Sequence, residues 1–306
     1  MRIRIATRGS ALARAQAMDV ARRLAQLGHM PELVLIATAG DASTDRAFTD
    51  IGAFGIFVRE LESALLGGRA DVAVHSYKDL PSRSPEGLVI AAVPERLDAA
   101  DVLLVRAEAA DVTAPALPVR AHARVGTSAA RRQALLAAAR PDLAMGLLRG
   151  NVPTRVRALL DDRFDAIVLA AAGLARLDRA QTMPLVPPHV VRTRLDPRRF
   201  VPAPSQGAIA VQARADAPDV LAAVRAIDDP GTARSLRAER GLLALAEAGC
   251  SLPFGAWCEA GAGDALVLHA VLGHADGSIA RAVATGEDPE SVAAVAWAEL
   301  TSAVPA

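Results

Sequence analysis

Short apolar runs alternate with longer amphipathic stretches along the first two thirds of the chain. Such runs are typical of buried strands and such stretches of helices, so their alternation predicts an α/β fold with parallel sheets. The predicted strands are residues 2–7, 33–37, 72–74, 89–93, 101–105, 124–125, 145–148, 166–169 and 208–212. The predicted helices are residues 11–27, 56–66, 129–139 and 154–162.

Two stretches do not follow this alternation. Residues 38–55 are polar and contain glycine, with weak periodicity, which predicts a mobile loop over a cleft. Residues 184–205 are rich in proline, which predicts a stiff connection between domains rather than core.

The last third of the chain has a different pattern. A predicted helix at residues 232–248 precedes strands at 255–259, 265–272 and 279–285, with a hairpin signal at Asp276-Gly277, and a helix at 291–302 follows. We expect a small α+β domain here.

Composition and charge exclude several classes of partner. The chain of 306 residues has 34 basic and 34 acidic side chains and only 3% aromatic residues, which argues against a nucleic-acid partner. No apolar run approaches the roughly 20 residues of a membrane span, and the N-terminus enters a strand without an export signal. We therefore expect a cytoplasmic protein with no membrane partner. The scattered histidines and the spacing of the two cysteines predict no metal site.

The strand at residues 72–74 leads into a polar cluster that ends at Pro81. Open α/β sheets place their ligands at the carboxyl ends of strands, so this cluster is a candidate site. It holds the only lysine of the chain, Lys78, and the only tyrosine, Tyr77. Lys78 and Asp79 are either a solvated ion pair of little value or a functional pair, and the pattern alone leaves both open.

Three strand-to-helix turns, at residues 7–10, 126–128 and 149–154, present N–H groups that can bind an anion, and arginines lie at them where acidic residues would be favourable. Arg131 and Arg132 come after Thr127-Ser128, and Arg155 comes after Pro153. Each costs about 0.3–1 kcal/mol against the helix dipole unless an anion binds there. Either a high arginine content scatters these residues by chance, or they bind an anionic ligand. No Walker or dinucleotide motif is present, so a polycarboxylate is favoured over a nucleotide.

The two cysteines have different surroundings. Cys250 lies between glycine and proline after a predicted helix, which is consistent with either a reactive or modified thiol or a small buried hydrophobe. Cys258 alternates with Trp257 in a predicted strand, and we interpret it as structural.

Taken together, these stretches resemble the porphobilinogen deaminase (hydroxymethylbilane synthase) family across nearly the whole chain. The resemblance is specific because many separate motifs occur in the right order. They are residues 4–8 with Ser10, 55–61, 69–76 with Lys78, Asp79 and Pro81, 126–128 with 131–133, 148–152 with Thr154 and Arg155, 165–170 with Gly173 and Leu174, 206–207 and 249–250.

The resemblance implies a fold and a division into domains. It implies two periplasmic-binding-protein-like α/β domains around a cleft and a small α+β C-terminal domain. Domain 1, with the active-site aspartate, is expected at residues 1–95 with 196–214, so that the chain returns to it through a strand near 208–212. Domain 2, rich in arginine, is expected at 96–195, and domain 3, with the cysteine, at 215–306. A monomer is also implied.

The resemblance also implies a reaction. Four units of the substrate porphobilinogen are added, each with loss of ammonia, to a dipyrromethane cofactor that is linked to Cys250 by a thioether. Water then releases the linear tetrapyrrole hydroxymethylbilane. Asp79 is the implied catalytic residue, because a carboxylate beside the pyrrole N–H groups stabilises the cationic intermediate and assists proton transfer.

The other implied site residues bind the cofactor or the substrate, and all of them except Ser76 and Phe57 are expected to hold carboxylates. The cofactor-binding residues are Ser76, Lys78, Thr127, Ser128, Arg131, Arg132 and Arg155. The substrate-binding residues are Arg8, Ser10, Phe57, Arg149 and Arg176.

The chain departs from the family pattern at four positions. Ala39 and Phe54 replace cationic residues of the loop, Ala129 replaces a serine, and Ser205 replaces a glycine. Because of these departures, a second interpretation remains, a non-catalytic two-domain binder of a polycarboxylate. A nucleic-acid binder that uses the arginines is a third, and it fits the charge and aromatic content worst.

Overall fold

The computed structural model describes residues 1–37, 53–114, 116–180, 183–246 and 252–302, and at 53–57 it describes the backbone alone. The described chain divides into two compact units. One comprises residues 1–97 with 207–233, and the other comprises residues 98–206 with 234–306.

The helices and strands are numbered separately in chain order. The strands are β1 (Arg2–Thr7), β2 (Met30–Leu35), β3 (Val72–Ser76), β4 (Leu88–Ala92), β5 (Asp101–Val105), β6 (Arg124–Gly126), β7 (Ala144–Gly146), β8 (Ala166–Ala170), β9 (Val191–Arg194), β10 (Ile209–Arg214), β11 (Phe254–Ala260), β12 (Leu266–Gly273) and β13 (Ile279–Gly286). The helices are α1 (Ala11–Gln26), α2 (Ala53–Leu66), α3 (Ala130–Ala139), α4 (Val152–Leu160), α5 (Ala171–Ala180), α6 (Pro218–Arg225), α7 (Pro230–Leu245) and α8 (Pro289–Ser302).

The first unit is built on a five-stranded sheet of order β2-β1-β3-β10-β4. β1 runs parallel to β2 and β3, whereas β10 runs antiparallel to β3 and β4. β3 and β10 are buried along almost their whole length, as expected for central strands covered by helices on both faces. The carboxyl ends of β1 and β3 therefore lie at one edge of the sheet.

The second unit contains a five-stranded sheet with the same plan, of order β7-β6-β8-β5-β9. β6 runs parallel to β7 and β8, and β5 runs antiparallel to β8 and β9. Asp101, the first residue of β5, pairs with Ala170, the last residue of β8. Because β5 is antiparallel, its amino end lies at the edge where β6 and β8 have their carboxyl ends.

The C-terminal part of the second unit is an antiparallel sheet of order β11-β12-β13. One face packs against α7 and α8 in a core that includes Leu242, Phe254 and Leu300. The other face approaches the proline-rich segment so closely that a Cβ at Gly255 would lie 2.8 Å from the carbonyl oxygen of Val201. Glycine is therefore the residue that fits at this contact.

The predicted fold class is confirmed: two α/β sheets of the same topology are followed by a small α+β part. The expectation of parallel sheets was wrong, because β10 in the first sheet and β5 in the second run antiparallel to both of their neighbours. The strand expected near residues 208–212 is β10, and it lies in the first sheet. Residues 53–55, predicted to be loop, belong to α2, while residues 38–52 lie outside the described part of the chain. The division into three domains stays a prediction.

The sequence-based prediction missed three elements: β9 inside the proline-rich passage, α5 and α6. It also placed the second strand too late, because β2 begins at Met30 and contains Pro31. Proline is tolerated there because β2 is an edge strand. Within the described residues, no helix is long and apolar enough to cross a membrane.

Candidate active site

Asp79 lies on a tight turn at the carboxyl edge of the first sheet. β3 continues directly into a 3-10 turn over Tyr77–Asp79, and the backbone N–H of Leu80 closes it by donating to the carbonyl of Tyr77 over 3.1 Å. The N–H of Tyr77 donates to the carbonyl of Ala208 over 3.1 Å. Leu80 is buried while Lys78 and Asp79 are half-buried, so the turn is anchored and presents both charged side chains at the edge.

The end of β1 supplies further predicted site residues at the same edge. Arg8 is half-buried there, and Ser10 is the N-cap of α1, where its hydroxyl accepts the N–H of Ala13 over 3.3 Å. The hydroxyl of Ser76 accepts a hydrogen bond of 2.8 Å from the amide of Gln16. The first sheet thus brings together Arg8, Ser10, Ser76, Lys78 and Asp79 at one edge.

A buried chain of polar side chains lies behind this turn. His75 Nε2 is 3.1 Å from Gln212 Oε1, and Gln212 Nε2 donates to Glu62 Oε1 over 3.2 Å. Burial lowers the pKa of His75 to about 4, against a smaller opposing effect of the Gln212 hydrogen bond. Burial likewise raises the pKa of Glu62. His75 is therefore neutral at pH 7.

The second sheet presents a strand-to-helix turn at its corresponding edge. Thr127 is buried and donates its backbone N–H to the carbonyl of Gly146 over 3.0 Å, whereas Ser128 is exposed. Ala129 is the N-cap of α3 and has no side-chain hydrogen bond to the helix, although its own N–H donates to Thr127 Oγ1 over 3.3 Å. The family serine that Ala129 replaces is thus missing at a capping position.

Arg131 and Arg132 are buried in the first turn of α3, and both bind Asp101. Arg131 Nη2 lies 2.8 Å from Asp101 Oδ2, and Arg132 Nη2 lies 2.7 Å from Oδ1. The two guanidinium groups hold the pKa of Asp101 well below its usual range, even though burial acts in the opposite direction as the largest single influence. The anion inferred beside these arginines is in part Asp101, a residue of the chain itself.

Three more predicted arginines belong to the same unit. Arg149 is exposed after β7, and Arg155 is half-buried and donates from Nε to the carbonyl of Gly150 over 2.7 Å. Arg176 is buried in α5. The roles assigned to these residues by resemblance stay predictions.

Several predicted site positions fall outside the part of the chain that the structure describes. Cys250 lies outside the described residues, in the segment between α7 and β11, and so does Ala39. The side chains of Phe54 and Phe57 are also outside the description. Cys258 is buried in the C-terminal core, in agreement with the structural role inferred for it.

Sequence reasoning assigned no role to two polar residues that organise the second edge, although Gln206 was part of a family motif. Asp101 is fully buried, and the Gln206 amide donates to Asp101 Oδ1 over 2.9 Å and to the carbonyl of Ala99 over 2.7 Å. The available signal was a carboxylate at the head of an otherwise apolar strand, which is costly to bury unless it has partners. Among the described residues, no cluster of three or more His, Cys, Asp or Glu side chains could hold a metal ion.

Comparison with known proteins gives matches to one family. A family model described as "Porphobilinogen deaminase, dipyromethane cofactor binding domain" matches residues 3–222, and one described as "Porphobilinogen deaminase, C-terminal domain" matches residues 233–301. The porphobilinogen deaminase of Moorella thermoacetica is 44% identical over 295 residues, covering 94% of this chain and 90% of the relative. That of Roseiflexus castenholzii is 40% identical over 304 residues, covering 98% and 95%.

Among solved structures, a Salmonella typhimurium periplasmic binding protein with high arginine specificity aligns with a TM-score of 0.39 and 11% identity, covering 76% of this chain and 93% of that chain. A likeness at this level carries no argument about function. The family models span most of the chain, and the curated relatives match it over nearly their full length. The chain therefore belongs to the porphobilinogen deaminase family, and its activity is the tetrapyrrole-forming transferase reaction of that family, which uses a dipyrromethane cofactor.

Proposed function

We propose that this chain joins four porphobilinogen units, with loss of ammonia, on a dipyrromethane primer attached to Cys250 and then releases hydroxymethylbilane. The observation that carries the assignment of roles is the buried group of Asp101, Arg131 and Arg132. Two guanidinium groups against one carboxylate leave one positive charge in a buried setting. Such an excess is costly without an anion, and the primer and substrate carry carboxylates.

The primer would be held at the edge of the second sheet. Thr127, Ser128, Arg131, Arg132 and Arg155 follow the carboxyl ends of β6 and β7, where α/β sheets bind ligands. Ser76 and Lys78, at the edge of the first sheet, are the other proposed cofactor-binding residues. When bound, the primer would supply the pyrrole carbon to which the first unit is added, and the terminal ring of the growing chain would supply it for each later unit.

Porphobilinogen would be held through its carboxylates by arginines and small polar groups. Guanidinium groups bind carboxylates in two-point contacts, which fix the orientation of the pyrrole ring. The proposed substrate-binding residues are Arg8, Ser10, Phe57, Arg149 and Arg176.

Asp79 is the proposed catalytic residue. Loss of ammonia from porphobilinogen produces a methylene-pyrrole cation, and a carboxylate fixed on the Tyr77–Asp79 turn would stabilise that charge. The same carboxylate can take up the proton that leaves the pyrrole carbon after the new bond forms. The anchored turn limits the reorganisation needed in each cycle, because it sits at a sheet edge rather than in a free loop.

Intact-mass measurement of the purified protein tests the primer directly. We expect a mass increase that corresponds to two linked pyrrole rings, and we expect Cys250→Ala to lack it. Cys258→Ala is the matched control and should keep the increase. Active wild-type protein without the adduct would contradict the proposal.

The alternative, a non-catalytic binder of a polycarboxylate, is not favoured by the family match. An assay of porphobilinogen consumption distinguishes the two, since a binder would leave the substrate unchanged. The proposal also includes a cytoplasmic location, a monomer, no metal, no membrane or nucleic-acid partner, and the three-domain division at residues 1–95 with 196–214, 96–195 and 215–306. Gel filtration with light scattering tests the monomer.

A further inference from the structure

Asp101 is placed where it can act on the site without touching the ligand. It is the first residue of β5, it is fully buried, and its partner Ala170 ends β8. It therefore lies at the edge of the second sheet to which the Gly126–Thr127 turn also belongs. An acidic side chain would repel a carboxylate ligand, so a direct binding role for Asp101 is disfavoured.

Each of the two arginines is held by Asp101 and by a second hydrogen bond to a backbone carbonyl, so both guanidinium groups have fixed positions. Arg131 also donates from Nη1 to the carbonyl of Val201 over 2.8 Å, and Arg132 donates from Nη1 to the carbonyl of Val168 over 2.9 Å. The Phe200 ring lies 5.9 Å from the Arg131 guanidinium carbon. Long, flexible side chains normally lose rotamer freedom on binding a ligand, and here the protein has already ordered them.

Asp101 also reduces the net charge of the buried group that it forms with Arg131 and Arg132. Without Asp101, two like charges would lie side by side in a buried position, which is strongly unfavourable. With Asp101, the group keeps a single excess positive charge. A carboxylate ligand then finds an ordered site of opposite charge.

We propose that Asp101, held by the Gln206 amide, is a positioning residue that orders Arg131 and Arg132 for a primer carboxylate. This inference rests on the proposed function, because it takes the arginines to be primer-binding residues. Asp101 acts through the arginines and takes no part in bond formation.

Asp101→Asn is the direct test, because it removes the charge and keeps the shape. We expect the folded variant to carry the two-ring primer at no more than one-fifth of wild-type occupancy by intact mass. Asp101→Glu keeps the charge, and we expect partial rescue. Folding is checked by circular dichroism and gel filtration.

Asp142→Asn is the matched control. Asp142 binds Arg140 at the other end of the same helix, with distances of 2.7 Å from each of its carboxylate oxygens to the guanidinium group. We expect this variant to be less stable but to keep full primer occupancy. A fall in occupancy equal to that of Asp101→Asn would mean that any ion pair of α3 matters equally, which would overturn the positioning role.

Gln206→Leu keeps the inference testable if Asp101→Asn does not fold. It removes one hydrogen bond to Asp101 without a change in charge, and we expect primer occupancy to fall or KM for porphobilinogen to rise at least threefold. Unchanged occupancy and KM in this variant, or in folded Asp101→Asn, would overturn the inference. Wild-type protein without any primer would instead overturn the proposed function.

Discussion

His75, four residues before Asp79, forms a buried hydrogen bond of 3.1 Å with Gln212 on the adjacent strand of the first sheet. Burial lowers the pKa of His75 to about 4, below its ordinary value of 6.5. In the unfolded chain the imidazole takes up a proton near pH 6.5, whereas in the folded protein it stays neutral until about pH 4. Stability is therefore full above pH 6.5 and is lost as the pH falls towards 4.

We expect this histidine to lower the free energy of unfolding by about 2 kcal/mol between pH 6.5 and pH 5, at about 1.4 kcal/mol per pH unit. Urea unfolding of wild-type protein and His75→Gln at pH 5, 6 and 7 measures the effect. The raised pKa of Glu62 acts in the opposite direction, because its contribution to the stability of the folded protein is lost as the pH rises. Glu62 is present in both proteins, so their difference isolates His75. Parallel curves for the two proteins would contradict the prediction.

Ser205 combines two unfavourable features. Its φ of +62° lies in the left-handed region, which non-glycine residues rarely adopt. Within the described residues, its hydroxyl is buried and has no hydrogen-bond partner. Its backbone N–H, by contrast, donates to Glu239 Oε2 over 2.6 Å, and that bond would survive substitution.

We expect Ser205→Gly, which restores the family residue, to raise the free energy of unfolding by about 1 kcal/mol. The substitution removes the backbone strain and the cost of burying an unsatisfied hydroxyl, about 1–3 kcal/mol each. Together these gains exceed the entropic cost of ordering glycine, which is more flexible in the unfolded chain. Ser205→Ala is the control, because it removes the hydroxyl and keeps the strain, so its gain should be smaller. Denaturant unfolding measures all three proteins. A less stable glycine variant would refute this account.

The two central sheets could be predicted from the sequence because their strands are short apolar runs separated by amphipathic helices. β10 was found in this way, although only the resemblance assigned it to the first sheet. α5 was missed because Ala171 follows β8 directly, with no turn or cap between them. β9 was missed because Pro187 and Pro188 made its surroundings look like a connection.

The candidate site could be predicted less completely. Asp79 and the arginines were identified from position and resemblance, but the partner of Arg131 and Arg132 was not. Asp101 lies some thirty residues earlier in the chain, and it reaches them only because β5 runs antiparallel beside β8. Local patterns contain no information on a pairing of this kind, because it depends on the order of strands in the sheet.

Ala129 is an N-cap without a capping side chain. Its φ of −86° and ψ of 119° are the extended values of an N-cap residue, so serine fits without strain. We expect Ala129→Ser to stabilise the protein by about 1 kcal/mol, because the new hydroxyl accepts an N–H of the first turn, where N–H groups have no partner within a helix. Ala130→Ser, one residue later and inside the helix, is the control and should be neutral or slightly destabilising. Thermal unfolding compares them, and an equal effect of the two substitutions would contradict a capping role.

Asp79→Asn tests the proposed catalytic carboxylate. Asparagine has nearly the same shape but no charge and no basic oxygen, so it can neither stabilise a cation nor accept a proton. We expect the variant to fold and keep its primer, with kcat lowered about 10²–10⁴-fold, which is the usual range for loss of a positioned acid or base. Porphobilinogen consumption under saturating substrate and intact mass provide the two measurements.

Asp71→Asn is the control for the catalytic prediction. Asp71 lies just before β3, whereas Asp79 follows it, and Asp71 binds Arg4 Nη2 over 2.7 Å. It lies at the edge opposite Asp79, so its loss should reduce stability and leave kcat near the wild-type value. Asp79→Asn with wild-type turnover would exclude the carboxylate from the reaction. Equal losses of kcat in both variants would indicate that distortion of β3, rather than the charge at its carboxyl end, limits turnover.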